Sequence, residues 1–149
     1  MGQIVFFILG LVSNIYMIAI FLLRRKYALI NLRRVGRWYF ILAVPALVNV
    51  LLLRNDDQFA RYGIFLGIFM AFLLVEWVYD YQLRIDWRRN WKLLTPYLAL
   101  YYAANYGFVV MPWKFENYVW QGITMLIVVV IQIALNLATH GPWSTRQKA

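Results

Sequence analysis

Residues 62–112 read YGIFLGIFMAFLLVEWVYDYQLRIDWRRNWKLLTPYLALYYAANYGFVVMP, two apolar runs, Tyr62–Tyr81 and Leu93–Pro112, joined by a charged turn from Gln82 to Lys92. Roughly 20 apolar residues let an α-helix cross about 30 Å of hydrocarbon. A single segment in that medium must satisfy its own backbone hydrogen bonds, and a helix does so. The stretch therefore predicts a pair of antiparallel membrane-spanning helices.

The rest of the chain repeats the pattern. Of its 149 residues, 64% are hydrophobic and 14% are charged, more apolar surface than a soluble domain of this size encloses. Further runs at 3–23, 35–53 and 118–139 join those at 62–81 and 93–112, giving five predicted spans. The expected fold class is all-α: a polytopic integral membrane protein whose residues 1–149 form a single five-helix domain. Pro45 falls near the middle of the second run and predicts a kink there. The first run follows neither a basic leader nor a small-residue cleavage site, so it is expected to be a retained helix.

Basic residues fall in alternate turns. Arg24, Arg25, Lys26, Arg33, Arg34 and Arg37 occupy the first turn without an acid. Arg84, Arg88, Arg89 and Lys92 lie in the third turn, and Arg146 and Lys148 in the tail. The other turns hold Arg54 and Arg61 against Asp56 and Asp57, and Lys114 beside Glu116. Positive residues mark the cytoplasmic side, which predicts N-out/C-in in a plasma or inner membrane, as an odd number of spans requires. The net charge of +9 is thus a topology signal, and a nucleic-acid partner is not expected. Arg24, Arg25, Arg33, Arg34 and Arg37 also have the composition of a segment that attracts lipid phosphates. Trp38, Tyr39, Tyr62, Trp77, Tyr81, Trp87, Trp91, Trp113, Tyr118, Trp120 and Trp143 fall near span ends, where an interfacial belt is expected.

Small residues suggest how the central helices meet. Gly63, Gly67 and Ala71 recur every fourth residue in the third span, as do Ala99, Ala103 and Gly107 in the fourth. Such grooves let helix backbones approach closely in lipid. Equal depth would pair Gly67 with Gly107 and Ala71 with Ala103; the alternative is that one groove serves a homo-oligomer.

Chemistry is sparse. The chain has no cysteine, and its one histidine, His140, lies at the start of the polar tail. Neither a metal nor a cofactor is expected. The acids inside a hydrophobic run are Glu76 and Asp80, four residues apart and so on one helix face. An unpaired acid at a helix centre in lipid costs roughly 2.5 to 3.5 kcal/mol, which makes such residues candidates for function. By depth, Gln132 should accompany Glu76 and Asn136 should accompany Asp80, with Tyr97, Tyr101 and Asn105 facing from the fourth span.

Glu76, Asp80, Tyr97, Tyr101, Asn105, Gln132 and Asn136 are the candidate ligand-binding set. They predict a cytoplasm-facing polar cavity between the third, fourth and fifth spans that binds or translocates a small solute or amphiphile. One alternative is a non-catalytic accessory subunit of a larger membrane complex, with the acids purely structural. A lipid-modifying enzyme using Asp80, Asp86 and nearby arginines is a third reading, without a recognisable nucleophile or Lewis acid.

Overall fold

The computed structural model describes residues 2–24, 35–55, 57, 59–83, 90–115 and 118–140. Among them the chain is all-helical. Helix α1 spans Gly2–Arg24, α2 spans Val35–Leu53 and α3 spans Phe59–Gln82. Helix α4 runs over Trp91–Val110 and continues through Met111–Phe115, and α5 spans Val119–His140. Four of these helices, α1, α2, α3 and α5, are long and apolar enough to cross a membrane. Helix α4 is not among the four: Tyr97, Tyr101, Tyr102, Asn105 and Tyr106 lower its apolar character.

Local chemistry explains the irregular turns. Pro45 has no N–H to give the carbonyl of Ile41 and crowds that turn. The helix tightens to 3-10 geometry there, over Phe40–Leu42, before Ala43–Leu53 continues as α-helix. The last turn of α3 widens to π geometry at Val78–Gln82, closed by Leu83 N–H donating to the Val78 carbonyl at 2.8 Å. Helix α4 starts earlier than the apolar run because Asn90 caps it, its side chain accepting from the Lys92 N–H at 3.1 Å.

Each helix packs against its chain neighbours, and α1 closes the ring against α5 while also touching α4. Consecutive helices are antiparallel, so α1, α3 and α5 all start at one end, here the upper, and finish at the lower end. The upper half is filled by Phe6, Tyr62, Phe69, Phe108, Met111 and Met125, each no more than 3% exposed. The Phe6 ring lies 4.9 Å from Tyr62 and 5.1 Å from Phe108, and Phe69 lies 5.4 Å from Phe108. Buried Asn49 joins α2 to the start of α1: with its amide turned to satisfy both groups, it donates to the Gly2 carbonyl at 2.8 Å and accepts from the Phe6 N–H at 3.2 Å.

Helices α3 and α4 are neighbours, but the expected pairing of their small-residue grooves is not formed. A Cβ added at Gly63 or Gly67 would meet nothing within 4 Å, whereas one at Gly107 would run into the ring of Phe65. The reason is rotation. Two residues turn a helix by about 200°, so the face holding Gly67 points away when Phe65, Phe69 and Phe72 point inward. Gly107 is the notch that receives a ring, and Gly10 plays the same part for Phe108, 2.6 Å from where its Cβ would stand. The aromatic belt is corrected similarly: Trp38, Trp91 and Trp120 stand exposed, while Tyr39 and Tyr62 are core residues.

Gly107→Ala should therefore destabilise the fold by about 1–3 kcal/mol through overpacking. Gly67→Ala should be neutral, or stabilising by about 0.5–1 kcal/mol through helix propensity. Thermal unfolding of the two variants in detergent checks the contrast; equal losses would disprove this rotation of α3.

Candidate functional site

Phe72 organises the lower half. It is 2% exposed, and its ring centroid lies 5.3 Å from Tyr97, 5.9 Å from Tyr101 and 6.3 Å from Tyr39. One ring on α3 thus orients tyrosines from α4 and α2. Glu76 follows one turn later on nearly the same face of α3.

Beside this cluster lies a cavity of about 380 Å³. Glu76, Tyr97, Tyr101, Tyr102 and Asn136 supply its polar groups. Met17, Ile20 and Phe21 of α1 form an apolar wall, completed by Leu94 and Leu98 of α4 and Leu137 of α5. Tyr102 and Leu137 are 43% and 66% exposed, so the rim of the cavity reaches the outer surface of the bundle between α4 and α5. All of these residues belong to the lower half, the end that carries the basic turns.

A second cavity of about 10 Å³ adjoins the first, and Tyr101 lines both. Ser13, Tyr39, Asn105 and Gln132 surround it. The hydroxyls of Ser13 and Tyr39 are 2.7 Å apart and hydrogen-bonded. Asn105 donates from Nδ2 to the Tyr101 carbonyl at 2.9 Å, one turn back along α4. The Tyr101 hydroxyl and Gln132 Oε1 are buried without a hydrogen-bond partner among the described residues, and Gln132 is 1% exposed. A space of this volume accommodates about one water molecule, so it is no ligand site.

The seven candidate residues thus divide. Glu76, Tyr97, Tyr101 and Asn136 share the large cavity, Asn105 and Gln132 line the small one, and Asp80 lines neither. Asn136, not Gln132, shares the large cavity with Glu76. The expected continuation from Glu76 to Asp80 runs into the wide turn at Val78–Gln82. The expected border of third, fourth and fifth spans omits α1, whose Met17, Ile20 and Phe21 face the cavity. Nothing in their apolar character distinguishes them from residues on the outer surface of the bundle. Ser13 and Tyr39 carried a weak signal, a hydroxyl inside an apolar run and a tyrosine before Pro45.

Of the basic set, Arg25, Arg33 and Arg34 lie outside the described residues, as do the side chain of Arg24 and both Arg84 and Asp86. Arg37 holds its guanidinium 5.7 Å from the centroid of the Tyr81 ring, a cation–π contact. Among the described residues no group of three or more His, Cys, Asp or Glu side chains comes together. Compared with protein families, curated proteins and solved structures, the chain matches none.

The hydroxyl pair next to the cavity gives a direct test of the site's construction. Ser13→Ala leaves the buried Tyr39 hydroxyl without that bond and should destabilise by about 1–3 kcal/mol. Adding Tyr39→Phe should recover most of the loss, since removing both partners leaves no unmet group. A double-mutant cycle by thermal unfolding measures the coupling; strictly additive losses would disprove the bond.

Proposed function

We propose that this chain is a five-span membrane protein, N-out/C-in in a cytoplasmic-type membrane, that binds a small amphiphile in the cavity at its cytoplasmic end. The observation that carries this reading is the 380 Å³ cavity itself. Its volume is within the range of about 300–1,000 Å³ usual for small-molecule sites. Its walls are divided between a polar side, Glu76 with three tyrosines and an amide, and an apolar side from α1, α4 and α5. A molecule with a polar head and an apolar body matches that division.

The charge bias supports the orientation, because the lower end faces the basic turns. In α4, which is less apolar than its neighbours, the tyrosines that face inward line the cavities. The closed aromatic packing of the upper half favours one-sided binding over a continuous channel. Translocation would require a second arrangement in which Phe6, Phe69 and Phe108 separate.

The open groove of Gly63 and Gly67 favours a second reading, a subunit that presents this face of α3 to another protein or a second copy. Close helix approach at small residues is a common basis of association in lipid.

The absence of native cysteine makes topology directly testable. Ser144→Cys should react with a membrane-impermeant thiol reagent only from the cytoplasmic side, and Asn55→Cys only from outside. Labelling of both from one side would overturn the five-span arrangement. For the site, native mass spectrometry of protein extracted gently from its own membrane should find a small molecule bound per chain and absent in Glu76→Gln. A stoichiometric partner protein, with no small molecule and no effect of Glu76→Gln, would favour the subunit reading.

A further inference from the structure

The small cavity brings together polar groups of α1, α2, α4 and α5 whose hydrogen-bonding capacities do not close among the described residues. We propose that it is the binding site of one internal water molecule, which accepts from the Tyr101 hydroxyl and donates to Gln132 Oε1. The site goes beyond the binding reading above and stands whether or not the large cavity takes an amphiphile.

The first observation is a complementary pair of orphaned groups. The Tyr101 hydroxyl and Gln132 Oε1 have no partner among the described residues, and their side chains are 3% and 1% exposed. A phenol hydroxyl has a hydrogen to give and an amide oxygen has lone pairs to receive it, yet these two atoms do not bond directly. Buried groups left unmet are costly, and ordered water is a common partner for them.

The second observation is the space between them. Its volume of about 10 Å³ is the room of a single water. Interior cavities lined only by apolar groups stay dry, whereas a buried water has about two to four polar partners. Phe69, Phe72, Ala104 and Phe108 give this cavity apolar walls, so its polar partners must be counted.

The hydroxyl pair supplies a third. Ser13 and Tyr39 both line the cavity, and the one bond between them, at 2.7 Å, uses one of their two hydroxyl hydrogens. The other hydrogen remains to be donated. A water molecule accepts two hydrogen bonds and donates two. It can therefore take one from Tyr101 and one from the Ser13–Tyr39 pair while giving one to Gln132. One molecule then ties four helices together. Because Tyr101 also walls the large cavity, the same water fixes the ring that separates the two spaces.

A crystal structure of the full chain, at a resolution that shows ordered water, should hold one density peak within about 2.7–3.2 Å of both Tyr101 Oη and Gln132 Oε1. An empty cavity, or a direct bond between those two side chains, would overturn the proposal. Thermal unfolding in detergent gives an independent reading. Tyr101→Phe and Gln132→Met nearly keep side-chain volume and each remove one partner of the water. Each should lower the melting temperature, and the double variant should lose less than the sum, since the two groups are coupled through the water. Strictly additive losses would overturn the site.

Ala104→Val separates a bridging water from any other coupling, because its added methyl groups occupy the water's space. It should cost about 2–4 °C more in the natural chain than in the Tyr101→Phe/Gln132→Met variant, where no bridge is left to break. An equal loss in both backgrounds would overturn the proposal. Should the double variant lose helical content, Gln132→Met alone serves as the second background, with the same outcomes.

Discussion

The rotation of α3 about its own axis is the constraint on which the lower half depends. Phe65, Phe69 and Phe72 recur at four- and three-residue spacing and turn one face of the helix into aromatic knobs. Gly107 provides the notch for the first, Phe108 meets the second, and Tyr97 and Tyr101 meet the third. Once those rings are seated, Glu76 has no freedom of side: it lies one turn beyond Phe72 on the face turned to α4. Turning α3 by half a revolution would place Gly67 inward and swing Glu76 to the outer surface. Ring packing therefore decides where the charge sits.

The helix count was legible because it depends on run length, a property each segment carries alone. The rotation was not, because α3 presents two candidate stripes, one small and one aromatic, on opposite faces. In water the more apolar stripe would turn inward, whereas in the membrane proposed for this chain lipid would solvate both equally and leave the choice to van der Waals fit. That fit depends on which residues of α4 stand opposite. The small-residue stripe places Glu76 away from the fourth span, while the polar set requires it beside Tyr97 and Tyr101. Those two sequence expectations exclude each other, and the aromatic stripe resolves the conflict.

Which polar residue of α5 would share a cavity with Glu76 was not legible. Counting from span ends put Gln132 opposite Glu76, but α5 brings Asn136 to that cavity and leaves Gln132 with Tyr101 and Ser13. Helix tilt and uneven ends are not carried by the sequence of any one segment. The contribution of α1 was not legible, since Met17, Ile20 and Phe21 carry no polar marker. A cavity wall need only be apolar and absent of contact on one side. That property belongs to the packing of several helices and is carried by no single segment.

The two halves of the bundle divide the labour implied by the binding proposal. Above, edge-on and tilted rings close the interior, each such pair contributing about 0.5–1.5 kcal/mol. Below, Tyr101 separates a ligand-sized space from one the size of a water molecule, so the polar interior narrows upward and stops at the aromatic layer. A binding protein needs only this closed form. A carrier needs another form, in which the pairs Phe6–Tyr62, Phe6–Phe108 and Phe69–Phe108 break together, a cost of a few kcal/mol. A ligand shifts that balance only if it binds the open form more tightly. Tyr101, a polar group of the large cavity, lines the small one together with Phe69 and Phe108 of the aromatic layer, so a head bound beside it would reach the closure through that ring. Under the binding proposal, occupancy then favours retention of the ligand unless it moves the Tyr101 ring against that layer.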